Sequence, residues 1–92
     1  MDAVAEVGKI LNIPKKELIT KGMIAFIEKE IRLAELDIAD IREKYDVITK
    51  EDLYEIIKLK KIKSHPAWED YITWKNKEEY IRKLKEKLKI IR

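Results

Sequence analysis

Cysteine, glutamine and long apolar runs are all absent from these 92 residues. Without cysteine the chain has no disulfides and no thiolate metal ligands. No apolar run approaches the ~18 residues that a membrane-spanning helix needs. The first residues include Asp2 and Glu6, and they lack the basic start and apolar core of a signal peptide. We therefore expect a cytoplasmic protein with no membrane partner.

Charged residues make up 42% of the chain and are rich in lysine and glutamate. This mixture is typical of heat-adapted proteins, which use surface ion pairs, so we expect a thermophilic source. The charges are unevenly distributed. Residues 1–57 carry nine basic and thirteen acidic side chains, whereas residues 58–92 carry twelve basic and five acidic ones. The two blocks can meet within the fold, pair between subunits, or leave the basic end free for a polyanion.

Glycine and proline are also scarce, with two of each, and no stretch alternates between apolar and polar residues as a strand does. The sequence therefore predicts an all-α fold, in a single helical domain over residues 1–92. Asp2 can cap a first short helix over 3–11. Asn12 suits the left-handed residue that ends this helix, and Pro14 opens the next one.

The most informative feature is an uninterrupted helical pattern from Lys15 to about Tyr45. At ~1.5 Å per residue this helix is roughly 46 Å long, whereas a compact chain of this size has a radius of gyration of about 12 Å. A globular monomer cannot enclose such a helix. We therefore predict an elongated helical hairpin that is dimeric. The apolar stripe of this long helix consists of Ile19, Met23, Ile27, Ile31, Ala34, Ile38, Ile41 and Tyr45.

The first half of this helix is apolar on two sides, so it must be covered from two directions. A second copy of the chain can cover one of these two sides. Gly22 is the predicted point of closest approach. The predicted dimer interface comprises Leu18, Gly22, Met23, Phe26, Ile27 and Leu33.

Two further helices follow. Thr49 and Asp52 have the spacing of a capping box and begin a short third helix, and Pro66 begins a long last helix from about Ala67 to Ile91. The last helix is long enough to lie antiparallel along the central one. Its basic surface would then face the acidic residues Glu35, Asp37 and Asp40.

Little in the sequence suggests catalysis. Ser64 and His65 are the only serine and histidine, and adjacent residues on a helix or turn point apart, which disfavours a nucleophile and base pair. His65 with Glu69 falls short of a usual metal shell. We predict no enzyme activity, no cofactor and no metal.

In the last helix the aromatic residues lie among basic ones: Trp68, Tyr71, Trp74 and Tyr80 are interspersed with Lys75, Lys77, Arg82 and Lys83. They can pack within the fold, anchor a protein partner, or stack on single-stranded nucleic acid. We favour a protein partner, with nucleic-acid binding by the basic segment 75–92 as the alternative. The predicted partner-binding residues are Trp68, Tyr71, Trp74, Lys75 and Lys77.

Residues 5–27, AEVGKILNIPKKELITKGMIAFI, resemble the two-helix part of ribbon-helix-helix proteins. In that family a short helix, a small turn and an apolar second helix form an intertwined dimer. The family reads DNA with an N-terminal strand, whereas here only Met1 and Asp2 precede the first helix. The resemblance therefore implies the dimerising part without the DNA-reading part.

Four downstream segments resemble small archaeal proteins that are predicted antitoxins. They are residues 43–47, 51–55, 61–63 and 65–71, and the pattern has glycine where this chain has Asp46 and Lys60. The resemblance implies a dimeric helical protein whose partner is a toxin. The leading hypothesis is thus a non-enzymatic, homodimeric interaction protein, the antitoxin of a toxin and antitoxin pair.

Overall fold

A computed structural model of the protein describes residues 2–92, and within them it contains helices and no strand. The helices are α1 (Ala3–Leu11), α2 (Lys15–Tyr45), α3 (Lys50–Lys58) and α4 (Ser64–Ile91). The predicted all-α class is confirmed, as is the order of short, long, short and long helices.

The helix ends follow from local sequence. The Asp2 carboxylate accepts hydrogen bonds from the backbone N–H groups of Val4 and Ala5, and Asn12 ends α1 with φ 57° and ψ 45°. Thr49 and Asp52 form the predicted capping box, in which each side chain accepts a hydrogen bond from the other residue's backbone N–H. Capping therefore satisfies donors that the first turns would leave unpaired.

Helix α4 contains one interruption near its start. His65 has the non-helical angles φ −107° and ψ 127°, and the His65–Pro66 peptide bond is cis. The continuous part of α4 therefore begins beside Pro66, in agreement with the predicted start near Ala67.

Helices α2 and α4 pack antiparallel as a hairpin. Polar pairs between them are spaced along the hairpin and fix its register, because each residue further along α2 pairs with a residue closer to the start of α4. The pairs are Glu28 with Arg92 at 2.6 Å, Glu30 with Tyr80 at 2.9 Å, Asp37 with Lys77 at 3.0 Å and Lys44 with Asp70 at 2.8 Å. Asp37 thus faces the basic helix as predicted.

The core lies where α3 closes over the hairpin. Ile38 and Ile41 of α2, Leu53 of α3 and Trp74 of α4 are buried against one another. The Trp74 indole N–H donates to Glu78 at 3.1 Å, so this buried ring has no unsatisfied donor. Three helices therefore meet at a single tryptophan.

The molecule is elongated, with extents of 60 × 21 × 19 Å and a radius of gyration of 19.2 Å. Helix α2 continues beyond α4, because Arg92 at the end of α4 reaches only Glu28. We call residues 3–27, comprising α1 and the unaccompanied start of α2, the N-terminal arm. Gly8 is the only residue of this arm that is buried.

Asp46 and Lys60 both adopt left-handed backbone angles, with φ of 52° and 58°. These are the two positions at which the antitoxin-like pattern has glycine. Each residue follows the end of a helix, where glycine is preferred because it has no Cβ to clash in this conformation. Both turns therefore have the left-handed backbone that glycine favours, although aspartate and lysine occupy the two positions.

We predict that Lys60→Gly raises the free energy of unfolding by about 0.5 to 1 kcal/mol, since it relieves left-handed strain at one residue. Urea unfolding at fixed protein concentration measures this change. Lys61→Gly is the matched control, because Lys61 lacks a positive φ and gains nothing from glycine there. Equal effects of the two substitutions would contradict the prediction.

Candidate interaction surfaces

The first candidate surface is the apolar side of the N-terminal arm. On α1, Val7, Ile10 and Leu11 are spaced so that they share one helix face. All three are exposed, Ile10 by 83%. Gly8, by contrast, is the only buried residue of this helix. A short helix therefore turns its larger apolar side chains outward.

A second apolar stripe continues along α2. Ile19, Met23 and Phe26 follow at helical spacing, and Leu33 extends the stripe by two turns. All four are exposed, Phe26 by 64%. Contiguous apolar surface of this kind marks interaction sites on proteins.

The close contact within the arm lies at Gly8, not at Gly22. A Cβ placed on Gly8 would lie 2.7 Å from the backbone oxygen of Ile13, whereas one on Gly22 would meet nothing within 4 Å. Gly8 therefore lets α1 fold back on the turn that follows it. The surroundings of Gly22 are open within one protomer, so a close approach there stays a prediction about a second copy.

The predicted dimer residues lie on this arm or just beyond it. Gly22, Met23, Phe26 and Leu33 are exposed, while Leu18 and Ile27 are half-buried. Leu18 lies beside Gly8 of α1. The prediction omitted Ile19 and the three apolar residues on the face of α1, although the periodicity of the sequence places them on apolar stripes.

The second candidate surface is at the opposite end of the hairpin. Trp68 and Tyr71 stack with ring centroids 5.4 Å apart and an angle of 23° between their planes. Tyr54 of α3 lies 5.5 Å from the Tyr71 ring and 6.3 Å from the Trp68 ring. We call Tyr54, Trp68 and Tyr71 the aromatic cluster.

The structure separates the five residues that were predicted to bind a partner. Trp68 and Tyr71 lie in the aromatic cluster, but Trp74 has no exposed surface. Trp74 is therefore a core residue, and the prediction that it binds a partner is corrected, because three helices cover it. Lys77 pairs with Asp37 of α2, and Lys75 is exposed.

At the same end of the hairpin the chain passes from α3 to α4, and we call residues 58–63, from the last residue of α3 to the residue before α4, the lysine loop. Lys58, Lys60, Lys61 and Lys63 are all exposed. No carboxylate in residues 2–92 forms an ion pair with them. These lysines and Tyr54 were not among the predicted functional residues. The density of lysine in the loop was the available signal for them.

Asp70 anchors the start of α4 to the end of α2. It accepts hydrogen bonds from the Lys44 ammonium at 2.8 Å and the Tyr45 hydroxyl at 2.5 Å. Burial opposes the charged form of Asp70, but the two hydrogen bonds outweigh it and hold the pKa of Asp70 below its ordinary value. The hydrogen bond to Asp70 raises the pKa of Lys44, and burial with the same partner raises the pKa of Tyr45.

Groups with catalytic or metal-binding potential are sparse in the described part of the chain. His65 Nδ1 lies 3.0 Å from Glu69 Oε1, and both side chains are exposed. No three histidine, cysteine or carboxylate side chains of residues 2–92 come together as a metal site. An open groove of about 500 Å³ runs between α2 and α4, lined by the buried Ile31 and Leu88 and by charged side chains.

A family model matches the whole chain, residues 1–92, and its description is the uncharacterized protein MJ0235 family. The chain belongs to this family. No curated protein and no solved structure matches this member of the MJ0235 family. Across residues 2–92, none of its helices has both the length and the apolar composition required to cross a bilayer.

We predict that Asp70→Asn lowers the free energy of unfolding by about 1 to 2 kcal/mol at pH 7, because it weakens two hydrogen bonds to a charged group. The pKa of Asp70 is lowered in the folded state. Its stabilising effect is therefore present above the ordinary aspartate value of 3.8 and is lost as the pH falls through the lower folded value. Urea unfolding at pH 7 and at pH 2 to 3 measures both quantities.

The matched control is Asp40→Asn on α2. Asp40 is exposed and forms no ion pair within residues 2–92, so its substitution should change stability by less than about 0.5 kcal/mol. An Asp70→Asn deficit that stayed the same at low pH would show that the charge of Asp70 is not its source.

Proposed function

We propose that this chain is a protein-interaction module that works as a homodimer joined through its N-terminal arms. The single observation that supports the proposal most strongly is the arm itself. It carries six exposed large apolar side chains and only one buried residue, Gly8. The six are Val7, Ile10, Leu11, Ile19, Met23 and Phe26.

An arm of this kind is poorly stabilised by itself. Helix α1 has nine residues, and isolated helices shorter than ~12 residues are marginal in water because nucleation is costly. In a folded protein, such helices are held by burial of their apolar faces. A second copy supplies this burial at low cost, because a two-fold interface uses the same patch on both subunits.

The charges of the arm permit two copies to approach. Residues 2–27 contain four lysines and three acidic side chains, so their net charge is +1. Two of these lysines are paired within residues 2–27, Lys15 with Asp2 and Lys21 with Glu17. Little like-charge repulsion therefore opposes the contact.

The apolar area of the arm also suits a dimer. The six arm residues and Leu33 are each at least 43% exposed, so the arm leaves large apolar side chains for a second copy to bury. The resemblance of this segment to the dimerising helices of ribbon-helix-helix proteins supports the same arrangement.

For the other partner, we propose a toxin protein bound on the exposed basic side of α4. The resemblance of the downstream segments to predicted antitoxins is the support for this part. Helix α4 also carries five exposed lysines that form no ion pair within residues 2–92, which suit an acidic protein surface. They are Lys75, Lys83, Lys85, Lys87 and Lys89.

The dimer is tested by Phe26→Asp, which places a charge in the proposed interface. We expect a dimer for the unchanged chain and a monomer for the variant in size-exclusion chromatography with light scattering at micromolar concentration. The hairpin should stay folded, because Phe26 lies outside the buried core. Ile31→Asp should instead unfold the hairpin, since Ile31 is buried.

Ile48→Asp is the matched control for the dimer test. Ile48 is as apolar and is 77% exposed, but it lies in the turn between α2 and α3, away from the arm. This variant should remain dimeric. A monomeric unchanged chain would refute the proposed homodimer.

The toxin is tested by co-expression with the product of the adjacent gene. We expect a stable complex, and we expect the chain to relieve any growth arrest that the neighbour causes. Lys83→Glu with Lys87→Glu should weaken the complex about tenfold or more, since charge reversal opposes an acidic partner. Lys61→Glu with Lys63→Glu in the lysine loop should leave it unchanged. Absence of a complex would refute this part of the proposal and leave the dimer standing.

A further inference from the structure

Two rings of the aromatic cluster, those of Trp68 and Tyr54, are far more exposed than the core tryptophan of this fold. Trp74 shows how this fold buries a tryptophan when the ring serves the core, with no exposed surface. By contrast, Trp68 is 44% exposed and Tyr54 is 41% exposed, although both belong to the same end of the hairpin. Contacts among the three rings hold them in place. The result is a preformed aromatic surface that remains open to solvent.

The lysine loop joins the helix that carries Tyr54 to the helix that carries Trp68, so its four positive charges lie at the same end of the hairpin as these rings. Elsewhere in the hairpin, lysines near the helix contacts are neutralised by carboxylates, as Lys50 is by Glu78 and Lys77 is by Asp37. The two acidic residues nearest in sequence to the start of α4 are already engaged. Glu69 contacts His65, and Asp70 accepts hydrogen bonds from α2. The charge of the loop is therefore free to attract an anion.

We propose that the aromatic cluster and the lysine loop together bind single-stranded nucleic acid. Unpaired bases would stack on the exposed rings of Trp68 and Tyr54, and the phosphates would lie against the lysine loop. Aromatic stacking combined with an electropositive backbone track is how proteins hold single strands without reading their sequence. Paired bases cannot present their faces to these rings, so a duplex fits the surface poorly. An acidic polypeptide would match the lysines but not the stacking surface.

This site lies at the opposite end of the molecule from the N-terminal arm. The two lie toward opposite ends of a molecule that is 60 Å long. The inference does not depend on the dimer or on a toxin. A dimer joined through its arms would carry one such site at each far end, which raises affinity for a long strand when both sites can be engaged.

The affinity test uses a fluorescein-labelled oligothymidylate of about 20 nucleotides and fluorescence anisotropy at low salt. We expect binding whose association constant falls with salt with a logarithmic slope of about −3, since each of four phosphates contributes about −0.7. Trp68→Ala should weaken binding about tenfold by removing a stacking partner. Lys61→Glu with Lys63→Glu should weaken it tenfold or more.

A second readout reports stacking directly. The chain has two tryptophans, and Trp74 is fully buried, so quenching of tryptophan fluorescence by the oligonucleotide comes from Trp68. We expect this quenching in the unchanged chain and its loss in Trp68→Phe. Circular dichroism confirms that each variant is folded.

Lys83→Glu with Lys87→Glu is the matched control, because these two lysines are also exposed and unpaired within residues 2–92 but lie far along α4. Oligonucleotide binding should survive in this variant. Three outcomes would overturn the inference. They are no binding at low salt, binding lost only in the α4 variant, and polyglutamate that displaces the oligonucleotide at equal charge concentration while quenching Trp68 to the same extent.

Discussion

Packing around Trp74 holds the hairpin together. The ring lies among Ile38 and Ile41 of α2 and Leu53 of α3, and Glu78 accepts its only polar hydrogen. A large, fully buried aromatic side chain contributes more apolar contact than any other residue type can. Three of the four helices therefore depend on one side chain. The polar pairs between α2 and α4 then fix how the two helices are aligned along their length.

The remaining features follow from a difference in length. Helix α2 has 31 residues, and α4 begins beside its end but stops at Glu28. The first part of α2 has no helix of its own chain beside it except the short α1. Its apolar residues stay exposed as a consequence, and the same constraint makes a second subunit the simplest source of cover. The hairpin thus has a well-packed body and an arm without a core.

The two ends of the molecule differ in their chemistry. The arm is apolar and nearly neutral, which suits association with an identical surface. The far end combines exposed rings with unpaired lysines, which suits an anion that has flat faces. Asp70 fixes the start of α4 at this end, since it ties the helix that carries Trp68 to Lys44 and Tyr45 of α2. The position of the aromatic cluster therefore depends on a half-buried carboxylate and its two donors.

Sequence alone was sufficient to predict the helices and their ends. Asp2, Asn12, Thr49 and Pro66 act on backbone groups within a few residues, so their effects can be predicted without knowing the fold. The length of α2 likewise follows from an unbroken apolar period, and with it the elongated shape. The left-handed turn at Lys60 was not predicted, because lysine carries no intrinsic preference for that conformation.

Tertiary structure determines which apolar side chains are buried and which are exposed. Trp68 and Trp74 lie six residues apart on one helix and look alike in the sequence, but α3 covers one and leaves the other exposed. Helix α3 also brings Tyr54 next to Trp68. The two residues are too far apart in the sequence for a local pattern to predict this contact. Helical periodicity specifies which residues share a face. It does not specify which face another helix will cover, because that depends on where the turns direct the chain.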